Sequence, residues 1–99
     1  MKVLALEQDL SEADPTAVQL KAEAQAVWDL QQSGVIREIY FRADRNVAVI
    51  ILEAPDIAAA DAHIQRLPLV AEGLIRFELI PLRPYPGFGR LFSREGAAP

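Results

Sequence analysis

The sequence contains no cysteine. That absence excludes disulfides, thiolate nucleophiles, and zinc or iron–sulfur centres held by sulfur. Histidine occurs once, at His63, so no site built on several imidazoles can form within one chain. Positive charge is also short. Ten basic residues stand against fourteen acidic ones, for a net charge of −4. They are scattered, which leaves no electrostatic footprint for nucleic acid. The densest group, Arg83 to Arg94, holds three arginines among prolines, glycines and aromatics. Long hydrophobic runs are missing too. The longest, Val47 to Leu52, is far too short to span a bilayer. No basic start followed by an apolar stretch marks a signal peptide. These absences set an expectation of a cytoplasmic chain that builds no sulfur-held or multi-histidine metal site and binds neither nucleic acid nor membrane.

What remains is enough for one packed domain. A chain of 99 residues has no room for a second. With 52% apolar and 24% charged residues, it can bury a core and is not a disordered composition.

Hydrophobic periodicity divides the chain into six elements. Lys2 to Gln8 is a strand, apolar on both faces at Val3, Leu4, Ala5 and Leu6. Asp14-Pro15 offers a helix N-cap with proline in the first turn. Leu20, Ala24, Val27 and Leu30 then form one apolar stripe, and Gly34 is the expected stop. Val35 to Arg42 is a β-branched and aromatic strand with charges interspersed. A turn at Ala43 to Asn46 leads to Val47 to Glu53, a strand that must be buried on both faces. Pro55-Asp56 opens a second helix with Ile57, Ala60, Ile64 and Leu67 inward, and Pro68 ends it. Gly73 precedes the last strand, Leu74 to Leu82.

The order β-α-β-β-α-β is the split pattern of an α+β, ferredoxin-like domain with a four-stranded antiparallel sheet. Strands one and three belong in the centre because they are continuous apolar runs. Strands two and four belong at the edges, where Arg37, Glu38, Arg42, Arg76 and Glu78 guard against stray pairing. Two helices can cover only one face of that sheet. Some of Leu4, Leu6, Ala48, Ile50, Leu52 and their neighbours therefore need a partner for the other face, and a homodimer or higher homo-oligomer is expected. Residues 1–83 form the domain and residues 84–99 a C-terminal arm.

Three segments carry a resemblance: SGVIREIYFRAD (Ser33 to Asp44), VAVIILEA (Val47 to Ala54), and LPLVAEGLIRFELIPLRPYPGF (Leu67 to Phe88). Together they resemble the muconolactone isomerase-like members of the dimeric α/β-barrel superfamily. The resemblance implies that two subunits pack sheet to sheet. It implies a small organic ligand between sheet and helices or inside the barrel, and proton transfer on a small organic acid or lactone without metal or cofactor. The histidines it leads one to expect do not fall on matching positions. Leu4 and Asp61 stand at or near those places, and His63 is offset. The fold and the cofactor-free chemistry follow from the resemblance; a catalytic residue does not.

The residues themselves nominate candidates. His63 is the chain's one histidine, the side-chain type whose unperturbed pKa lies nearest neutrality. Glu7 and Glu78 lie in strands among apolar neighbours, where a carboxyl becomes a proton shuttle. Glu78 equally suits an ion pair with Arg76 on the edge strand. Tyr40 and Arg42 share a strand face with Glu38. If that face points into a barrel, Tyr40 and Arg42 converge with Arg76 and Glu78 to bind a ligand. Trp28 is a packing ring or a stacking surface. Tyr85 lies in a proline-stiffened arm that docks on a partner or closes a pocket. Three functions compete: an isomerase, a non-catalytic ligand-binding or oligomerisation module, and an oxygenase of the same superfamily acting on a reactive substrate or on haem, for which His63 or a carboxylate would be the axial ligand. An isomerase needs a carboxylate or His63 in an enclosed pocket, with an arginine near for a substrate carboxylate.

Overall fold

A computed structural model describes residues 1–92. The strands and helices are Lys2–Asp9 (β1), Ala17–Gln32 (α1), Ile36–Phe41 (β2), Ala48–Glu53 (β3), Ile57–Gln65 (α2), Pro68–Ala71 (α3) and Ile75–Pro81 (β4). A 3₁₀ turn over Gly87–Phe92 follows. The part of the expected arm at positions 93–99 lies outside the described residues. Among the described residues, no helix is long and apolar enough to cross a membrane.

The sheet is antiparallel throughout, in the order β2-β3-β1-β4. The apolar runs lie in the middle and the charged strands at the edges, as the sequence predicts. Cross-strand register fixes the two faces. Val3 lies opposite Leu52, Ala5 opposite Ile50 and Glu7 opposite Phe77. These residues face the helices. Val3, Ile50 and Leu52 are fully buried there with Ile64 and Leu67. Each such side chain contributes about 1.5–3 kcal/mol by leaving water. A register shift between Ile36 and Glu38 inserts one extra residue and keeps Ile36 and Ile39 on the same inner face. Leu4, Leu6, Val49 and Ile51 point the other way and stay partly exposed.

The helix ends differ from the sequence expectation. The N-cap of α1 is Thr16, not Asp14. Its side chain accepts from the Gln19 amide at 3.1 Å, while the Gln19 side chain accepts from the Thr16 amide at 2.8 Å. This reciprocal pair satisfies two amides at once, which Asp14 has no means of doing. Pro68 does not merely stop α2. It opens α3, since the missing N–H is harmless at a first helical position. The core residue Leu67, expected as the last inward residue of α2, is the N-cap of α3.

Gly34 and Gly73 terminate α1 and α3 with φ of +84° and +76°. An added Cβ at Gly34 meets nothing within 4 Å, so any cost is conformational alone. Gly34→Ala is expected to cost about 1–2 kcal/mol, the usual penalty of a left-handed L-residue. Thermal denaturation should show a fall in Tm of several degrees.

Candidate functional site

α1 stands off the sheet it covers. None of its residues is fully buried, and Leu20 on its inner stripe remains 51% exposed. Val27 and Leu30 reach the core; the N-terminal half does not close against it. The gap is a chamber of about 250 Å³ between α1, α3 and the sheet. Its walls are apolar, with Val27, Ile39, Ile50 and Phe77 among them. It adjoins an outer vestibule of about 720 Å³, bounded by the loop after β1 and by Asn46 of the β2–β3 turn. The two share Glu7, Leu20, Phe41 and Leu69.

Two carboxyl groups enter this apolar chamber. Glu7 comes from β1, where alternation puts it on the inner face beyond Val3 and Ala5. Its Oε1 accepts from the Ala48 amide at 3.2 Å. Glu23 comes from the inner stripe of α1. Its Oε1 accepts from the Leu69 amide at 3.1 Å, supplying the cap that Leu67 lacks at the start of α3. Burial raises both above the ordinary carboxylate value of 4.5. The single amide bond each receives opposes that shift. Glu7 also faces Asp9 and Glu23, two further acids that hold a proton on it.

No family model matches the sequence, and no curated protein does. Solved structures do match. A crystal structure of muconolactone isomerase superposes with a TM-score of 0.71 at 18% identity, over 87% of this chain and 92% of that one. A 5-chloro-2-hydroxyhydroquinone dehydrochlorinase from Burkholderia phenoliruptrix AC1100, in complex with 2,5-dihydroxybenzoquinone, gives 0.58 at 16% identity, over 84% of this chain and 94% of that one. The chain has the muconolactone isomerase-like fold.

Within that fold, the sequence-nominated residues are not gathered in one place. Of the three nominated acid–base groups, Glu7 lines the chamber. Glu78 lies opposite Leu6 on the far face of the sheet. His63 is half-buried on α2 and lines neither cavity described above. The expected convergence of Tyr40 and Arg42 with Arg76 and Glu78 does not occur within one subunit. Tyr40 is on β2 and the other pair on β4, at opposite edges with two strands between. Tyr40 donates to Glu38 at 2.9 Å, and Arg42 is held by Asp44 at 2.6 and 2.8 Å. Trp28 is 56% exposed, turned outward beside Val27. Tyr85 packs edge-on against Phe88 in the arm, centroids 4.9 Å apart.

Glu23 is the residue that sequence reasoning passes over. The signal for it was present. Position 23 is three beyond Leu20 and four before Val27, so it sits on the apolar stripe. An acid there must be either a boundary residue or a functional one.

Proposed function

We propose that the chain is a cofactor-independent isomerase that moves a proton on a small organic compound held between α1 and the sheet. One observation carries this reading: Glu7 and Glu23 enter the same apolar cavity from opposite walls, each with a raised affinity for protons. A pair in unequal surroundings divides the acid and base roles. Glu7, facing two other acids, holds the proton. Glu23 is ionised and removes a proton from the carbon between a carbonyl and a C=C bond. Glu7 delivers its proton to the γ-carbon at the far end of the resulting dienolate. The double bond has then moved, one proton has been taken and one given, and the pair resets by exchange through the vestibule. General acid–base catalysis of this kind contributes typically ~10²–10⁴-fold.

The test is solvent deuterium incorporation by the full chain, across unsaturated lactones and cyclic ketones. Uptake at the carbon that loses the proton or at the far carbon that receives one supports proton transfer. The competing reading is a binding module without turnover. It is favoured by the hydrogen bond that makes Glu23 the cap of α3. Ligand binding with no deuterium uptake over that panel would decide for it.

The same proposal includes a homodimer formed through the open face of the sheet, with the described part of the arm, residues 84–92, packing on the partner. Two features support this. Leu4, Leu6, Val49 and Ile51 form a contiguous apolar surface that stays partly exposed among the described residues. Tyr85, Phe88, Leu91 and Phe92 are each at least 66% exposed. Rings and leucines in that number seldom stay bare in solution.

A further inference from the structure

The charge of the cavity wall restricts what the cavity can hold. Of the described residues lining the chamber and its vestibule, none is a lysine, arginine or histidine. The charged groups are Glu7 and Glu23 within, and Asp9, Glu12 and Asp14 at the mouth. The arginine expected near the site to receive a substrate carboxylate is therefore missing from it. Arg76, next in sequence to the vestibule residue Ile75, lies on the other face of the sheet, opposite Gln8. Arg42, beyond the lining residue Phe41, is engaged by Asp44.

An organic anion entering this space gives up water and gains no cationic partner. It meets like charges in a low-dielectric setting where their repulsion is strong. A neutral compound meets apolar walls that reward its ring and carboxyl oxygens that accept from its donors. Size agrees. A dry cavity of roughly 150 Å³ accommodates benzene, so about 250 Å³ suits one substituted ring.

We infer that the cavity between α1 and the sheet selects uncharged, single-ring compounds that present a hydrogen-bond donor, and rejects organic anions. This rests on the cavity being the substrate site, and it narrows the substrate of the proposed isomerase to molecules without a free carboxylate.

The test is amide chemical-shift titration of the ¹⁵N-labelled full chain at pH 7 with three probes of one shape. These are p-cresol (neutral donor), 4-methylbenzoate (anion) and benzylamine (cation). p-Cresol should shift the amides of Ala48 and Leu69, which hold the two carboxyls. 4-Methylbenzoate should bind at least ~10-fold more weakly, the factor that about 1.4 kcal/mol produces. The gap should narrow in Glu7→Gln/Glu23→Gln. Equal or tighter binding of 4-methylbenzoate overturns the charge selection and leaves the site intact. Tighter binding of benzylamine than of p-cresol overturns the assignment to neutral compounds. A titration in which no probe moves those amides overturns the cavity as a site, and the proposed function with it.

Discussion

Leu6→Asp is expected to leave the chain monomeric at micromolar concentration, while the unaltered chain sediments as a dimer. Leu6 is central to the open face. In its row across the sheet it stands between Val49 on β3 and Glu78 on β4, with Tyr40 beyond Val49 at the β2 edge. The next row holds Glu38, Ile51, Leu4 and Ile80. The face therefore has an apolar centre and a polar margin, the anatomy of an interface. Among the described residues, Arg76 and Glu78 form no ion pair within the chain, so they remain available to groups across a contact. A stable dimer buries ~800 Å² per partner. At ~25 cal/mol per Å² its apolar part outweighs the cost of association only if the centre stays dry. Two-fold symmetry would put two aspartates into that centre together. Burying an unpaired charge costs several kcal/mol, so the pair should shift the equilibrium by orders of magnitude. Sedimentation velocity reads the outcome. Circular dichroism must show the variant folded, which is expected because position 6 points away from the core. A dimeric Leu6→Asp, or a monomeric parent at the same concentration, sinks the sheet-to-sheet arrangement.

The fold was legible because its strands differ in burial on two faces. A strand apolar on both sides, as Val47 to Glu53 is, has only a central place to go. A strand carrying Arg37 and Glu38, or Arg76 and Glu78, has only an edge. Gly34 was visible as a stop because a left-handed residue is needed where α1 ends; Gly73 was read only as preceding the last strand, and its φ of +76° shows that it ends α3. The site was less legible. Glu7 stood out as an acid in an apolar strand. Glu23 did not, because α1 carries acids and amides at many positions and periodicity alone does not show how far the helix stands from the sheet. That distance is set by α3, whose Leu69 amide reaches Glu23. Its existence was hidden by reading Pro68 as an end. Within one subunit Tyr40 and Arg42 do not meet Arg76 and Glu78. Sharing a face is a local property of each strand, whereas proximity depends on strand order, and that order puts them at opposite edges.

Glu7→Gln should sharply lower deuterium uptake yet make the protein relatively more stable at neutral pH. The activity side follows from the division of roles. Glutamine keeps an oxygen for the Ala48 amide but has no proton to give, so turnover should fall by ~10²–10⁴-fold. Glu23→Gln should fall similarly. The double variant should lose little more than either alone, because the two groups act as one unit. The stability side follows from burial. The folded state raises the pKa of Glu7 above the ordinary 4.5 because the charged form is poorly solvated there. For an acid with a raised folded pKa, the protonated form is favoured by folding. That benefit is full below 4.5 and is lost as pH rises through the folded value. As pH rises through that folded value the parent takes on a partly buried negative charge facing Asp9 and Glu23, and glutamine does not. Glu7 keeps some solvent contact, so screening limits the gain to a modest rise in Tm. The difference in Tm between Glu7→Gln and the parent should therefore grow as pH increases from 4 to 7. A gap that shrinks over this range would mean that Glu7 gains from ionising in the fold. It would then be a structural acceptor for Ala48 and not the proton donor of the pair.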